Sequence, residues 1–97
     1  MSSNFRISAH RNSKNLHLKL TGDFDGSSAL QLLNALKKNS KKGVYTIFIH
    51  TGCLNRIYPF GRATFLQNMS KLNGYAARLL FTGENARQIA PEKTLCL

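Results

Sequence analysis

Any chemistry in this chain has to come from very few residues. Its carboxylates are Asp23, Asp25, Glu84 and Glu92, its histidines His10, His17 and His50, and its cysteines Cys53 and Cys96. Asp23 and Asp25 stand two apart beside a helix start. There a carboxylate accepts hydrogen bonds from free N–H groups and suits the positive end of the helix dipole. The histidines lack the HxH or HExxH spacing that would converge them on a metal. His50 ends a central apolar run, and strand ends of that kind are where α/β ligand sites form. Cys53 follows three residues later, but no carboxylate in the sequence is placed to orient a His–Cys pair. Two isolated cysteines form neither a zinc pattern nor a CxxC motif, and they read as reduced thiols, partly or fully buried. No glycine-rich phosphate motif occurs. The expectation is a protein with no catalytic residues, no metal and no cofactor.

The charge is the other chemical signal. Fourteen Lys and Arg face four Asp and Glu among 97 residues, a formal net charge of +10. Such an excess attracts nucleic acid, anionic membrane or an acidic protein, or serves solubility alone. Lys37, Lys38, Lys41 and Lys42 cluster, whereas Arg6, Arg11, Arg56, Arg62, Arg78 and Arg87 are scattered. No recognition-helix, zinc-finger or RNA-stacking motif runs among them. The apolar runs fall far short of the ~20 residues of a membrane span, and the N-terminal stretch lacks a signal-peptide core. A soluble, cytoplasmic protein is the default expectation.

The elements that would position these residues follow from hydrophobic period. Phe5–Ala9 and Leu16–Leu20 alternate and predict a hairpin, with His10 and His17 on its polar side. TGDFDGSS reads as a loop, and Ala29, Leu32, Leu33 and Leu36 mark one stripe of a helix from about Ser28 to Lys38. Lys37 and Lys38 suit its last turn. Val44–His50 is nearly continuous in apolarity, as in a strand covered on both faces. After the loop TGCLNRIYP, a second helix is predicted from Phe60 to Leu72, with Pro59 at its first position and Asn73-Gly74 at its end. YAARLLFTG gives another buried strand, GENARQIA a short helical segment, and EKTLCL a final short strand. The prediction is one domain over residues 1–97. It is an α/β fold, a mixed sheet of 4–5 strands in ββαβαβ order with helices packed on it.

Leu20-Thr21-Gly22-Asp23-Phe24-Asp25, followed by Ser27-Ser28-Ala29, resembles the start of a STAS domain, the fold of bacterial anti-sigma factor antagonists. The buried strand to His50, the helix with Gly61 in its first turn and the strand at Ala77–Phe81 continue the resemblance, from about Phe5 to Gln88. In that family the turn before the second helix carries a serine that a partner kinase phosphorylates, breaking the complex. Here Tyr58, Pro59 and Phe60 precede Gly61, and the loop from Thr51 to Arg56 is about two residues longer than usual. Thr64, one turn into the helix, is a poor substitute for the serine. The resemblance therefore implies a regulatory protein–protein interaction module without the serine phosphoswitch. Its partner would be an anti-sigma-factor-like or kinase-like protein, or a complex subunit. Its binding face would comprise Asp23, Asp25, Ser27, Arg56, Tyr58, Phe60 and Arg62, with Tyr58 and Phe60 alternatively packed inward as anchors. Tyr and Arg are residue types favoured at binding hot spots. Two other readings stay open: a basic module binding nucleic acid or an anionic membrane surface, and an accessory subunit of a transport complex. The family's final helix is short or absent here, which would leave apolar sheet surface for a second copy or a partner to cover.

Overall fold

The computed structural model describes residues 4–39, 46–69, 78–91 and 94–96. Its elements are β1 (Arg6–Asn12), β2 (Asn15–Phe24), α1 (Gly26–Asn39), β3 (Thr46–Ile57), α2 (Pro59–Met69), β4 (Arg78–Thr82), α3 (Ala86–Ile89) and β5 (Leu95–Cys96). The five strands form one sheet in chain order, β1-β2-β3-β4-β5. The β1–β2 hairpin is antiparallel and every later pairing is parallel. This is the predicted mixed α/β sheet with helical crossovers. The expectations for residues 40–45, 70–77, 92–93 and 97 lie outside the described residues.

The sequence period sets the core. Leu16, Leu18 and Leu20 of β2 and Ile47 and Ile49 of β3 alternate along their strands and bury one common face. The stripe Ala29, Leu32, Leu33 and Leu36 of α1 packs on that face, joined by Phe65 of α2, Phe81 of β4 and Ile89 of α3. Burying each large side chain stabilises by roughly 1.5–3 kcal/mol. A row of edge-to-face phenylalanines ties the elements together. Phe5 meets Phe24 at 5.9 Å, Phe24 meets Phe65 at 6.0 Å, and Phe65 meets Phe81 at 6.3 Å.

Two expectations about the strands change. First, β2 does not stop at Leu20. It runs on through Thr21–Phe24 beside an extended β3, so most of the predicted TGDFDGSS and TGCLNRIYP loops is strand. From Lys19 to Asp23, β2 advances four residues while its partner β3 advances six, from His50 to Arg56. The two extra residues of β3 over this stretch are absorbed as bulges, each an unpaired residue that bends and twists the strand. Gly22 sits in this irregular stretch at φ +92°, against the backbone of Asn4, where a side chain has neither the conformation nor the space.

Second, β3 is buried on one face only. Ile47, Ile49 and Thr51 are buried, while Thr46, Phe48 and His50 between them are half-buried. Its continuous apolarity came from Phe48, which lies on the side away from α1. The sheet face away from the helices is mainly polar. It carries Lys19, His17, His50 and Arg78, with Phe48 and Leu80 among them. Cys53 is exposed rather than buried, Cys96 is half-buried, and both thiols are free.

Candidate functional site

The β2–α1 junction and the start of α2 are built on each other. Asp25 precedes α1 and is its cap: its Oδ1 accepts from the Ser28 N–H at 2.9 Å and from the Ser28 hydroxyl at 2.9 Å. These bonds, the N–H first and the hydroxyl second, hold the Asp25 carboxyl below its ordinary value, with burial opposing them. The helix therefore starts at Gly26, two residues earlier than its apolar stripe suggests, and Ser28 is buried inside the first turn. Pro59 takes the first position of α2, where its missing N–H leaves no bond unmade. The Tyr58 N–H donates to the Phe24 carbonyl at 3.0 Å, which seats the turn on the end of β2.

Gly61 lies flat against the Phe24–Asp25 backbone, so close that a Cβ there would fall 2.6 Å from the Phe24 oxygen. The Phe60 ring covers Gly26 in the same way from the other side. These two close approaches fix how the α2 start leans on the α1 start. The turn is furnished for packing because backbone meets backbone there.

The seven predicted face residues then fall as follows. Asp23 and Arg56 are opposite one another in the β2–β3 ladder. The Arg56 guanidinium lies 5.8 Å from the centre of the Tyr58 ring, within cation–π range. Tyr58 is 37% exposed and Phe60 75% exposed, so Phe60 is not an inward anchor. Asp25 is committed to capping, and Ser27 is exposed beside it. Arg62 points elsewhere: its Nε donates to the Gln88 carbonyl of α3 and so ties α2 to α3. The Thr64 hydroxyl donates back to the Phe60 carbonyl at 2.7 Å.

Sequence reasoning missed Leu30. It is 57% exposed and lies one helical turn from Gly26, on the flank that Phe60 covers. The available signal was an apolar residue standing off the stripe of Ala29, Leu32, Leu33 and Leu36. It also missed a polar chain on the open sheet face. His17 Nδ1 and His50 Nε2 are 2.9 Å apart, and His50 Nδ1 is 2.7 Å from the Thr82 hydroxyl. Burial, then the nearby His17 and Lys19, lower the His50 pKa. Among the described residues, no three of His, Cys, Asp and Glu stand together as metal ligands. No described helix is long and apolar enough to cross a membrane.

No protein-family model matches this sequence, nor does any curated protein. Solved structures do match in fold. SpoIIAA, an anti-sigma factor antagonist in its unphosphorylated form, is similar with a TM-score of 0.66 at 17% identity, over 96% of this chain and 86% of its own. A Shewanella loihica protein of the DUF3478 family, described as having a SpoIIAA-like fold, matches with a TM-score of 0.58 at 16% identity, over 91% and 74%. The crystal structure of Mglu contains a similar unit, with a TM-score of 0.64 at 23% identity. This chain is covered there over 91% of its length but spans only about a fifth of the Mglu chain. The chain thus has the SpoIIAA-like fold, which agrees with the STAS resemblance of its sequence.

Proposed function

We propose that this chain is a non-catalytic regulatory module of the anti-sigma factor antagonist kind, acting in the cytoplasm through one protein partner and without a serine phosphoswitch. The observation that carries the reading is Phe60: a phenylalanine three-quarters exposed on a backbone seat fixed by Gly61 and the Tyr58 N–H. With Tyr58, Arg56 and Leu30 it offers aromatic, cationic and apolar groups on an ordered support, the combination that interface hot spots use. Asp23, Asp25 and Ser27 border it, and Arg62 serves mainly to hold α3. The turn has no hydroxyl except that of Tyr58, so the partner is not released by serine phosphorylation there.

The test is capture from the native lysate at about 50 and 300 mM salt, a range over which charge-driven binding collapses, with wild type, Phe60→Ser and Tyr58→Ala. One protein retained at both salts and lost with Phe60→Ser supports the reading. A captured set unchanged by both substitutions sinks it. A phosphopeptide from residues 56–62 after incubation with the lysate and ATP would overturn the claim that the turn is not a switch.

A further inference from the structure

The sheet face away from the helices is a second surface, remote from the Phe60 end and independent of the reading above. Over the regular part of β1–β4, each ionisable side chain on it is basic: Arg6, His10, His17, Lys19, His50 and Arg78. The first carboxylate on that side, Asp23, comes only beyond the bulges of β3 and stands opposite Arg56. The centre of the face is aromatic. His17 and His50 are coplanar to within 1°, with ring centres 5.2 Å apart and a 2.9 Å hydrogen bond joining their edges, so they form one flat plate. The Phe48 ring is parallel to the plate within 7°, its centre 4.6 Å from that of His17. The Thr82 hydroxyl holds the far edge of His50 and fixes the plate's orientation. All three residues are half-buried on this face.

We infer that this face binds single-stranded nucleic acid, its bases joining the His17–Phe48–His50 stack and its phosphates meeting Arg6, Lys19 and Arg78. Stacking surfaces flanked by cations are how sheets hold unpaired strands without reading their sequence. Two features favour this ligand over others. Among the described residues, the exposed large apolar side chains that would enter a lipid surface (Leu30, Tyr58 and Phe60) lie elsewhere. A duplex would hide the base faces that the rings recognise.

The experiment is fluorescence anisotropy with the full chain and labelled 12-nucleotide poly(U) and poly(dT), against a 12-base-pair duplex and vesicles of phosphatidylcholine and phosphatidylserine. Binding of the single strands is expected at 50 mM salt, with a log–log salt slope near about −2 for three neutralised phosphates. Phe48→Ala should weaken it at least about 5-fold, the low end of what one stacked base contributes. The double variant Lys19→Glu, Arg78→Glu should abolish it, and Lys38→Glu, at the end of α1, should leave it unchanged. His17→Ala repeats the stacking test should Phe48→Ala fail to fold. The inference is overturned by no binding at 50 mM salt, by duplex or vesicle binding as tight as the single strands, or by loss with Lys38→Glu equal to that with the face variants. Folded stacking variants that bind like wild type would overturn it as well.

Discussion

Gly61→Ala should destabilise this protein well beyond what one methyl group ordinarily does. The added Cβ would stand 2.6 Å from the Phe24 oxygen and the Asp25 carbonyl carbon, and 2.7 Å from the Asp25 oxygen. Ordinary van der Waals contact begins near 3.4 Å, so about 0.8 Å must be found. The opposing atoms are all backbone, and no side chain can rotate away. The start of α2 must lift from the β2–α1 junction, which stretches the 3.0 Å bond from the Tyr58 N–H to the Phe24 carbonyl. Overpacking costs roughly 1–3 kcal/mol, and a rigid neighbour places this case at the upper end. Alanine recovers at most about 1 kcal/mol of helix propensity over glycine. The net of about 2 kcal/mol lowers the melting temperature of a domain this size by roughly 8–16 °C. Gly52→Ala is the internal control, because nothing lies within 4 Å of its Cβ position; it should stay within about 0.5 kcal/mol of wild type. Thermal unfolding followed by circular dichroism reads both. A Gly61→Ala protein melting within about 2 °C of wild type, far inside the scaled shift, would refute the reasoning. So would a Gly52→Ala protein that loses as much.

Two further predictions concern pH. Asp25→Ala removes the α1 cap and should cost about 1 kcal/mol near neutrality. Because the folded Asp25 carboxyl titrates below its ordinary 3.8, its contribution is present above that value and fades as pH falls through the lowered one. The gap between wild type and Asp25→Ala in urea midpoints should therefore shrink below pH 4, and a gap that widens there contradicts the cap. His50 acts in the same direction, in a higher pH window. Its folded pKa lies below the ordinary 6.5, since burial, His17 and Lys19 all oppose its charge. The unfolded chain thus takes up the proton first, and stability falls as pH drops from about 6.5 towards the lowered value. His50→Gln should flatten that part of the pH–stability profile, and a variant with the wild-type slope would assign the proton to another group.

How far the sequence exposes this fold depends on the range over which each signal acts. The Leu16–Leu20 alternation, the α1 stripe and Pro59 are local, and each lies where its period or chemistry places it. The bulges of β3 are not local. Thr51–Arg56 has the Gly and Asn of a loop, and only the parallel partner running to Phe24 turns it into strand. The one-sided burial of β3 was hidden for a related reason. Apolar Phe48 on the open face mimics a doubly covered strand, because composition reports what a residue is and not which helix reaches it. The Phe60 end was marked in sequence only by the STAS resemblance; that Gly61 sits against backbone and that Phe60 faces outward comes from the structure. Leu30 could have been flagged as an apolar residue off its stripe. The His17–His50–Thr82 chain could not be found so early. Its members are separated by more than thirty positions at each step, and neither histidine has a neighbour in sequence that marks it. Only the β2–β3–β4 register brings their rings to one height on the sheet. Pairwise meetings of that kind are set by topology and strand slippage, so the same residues shifted by one position would point into the core and the plate would not exist.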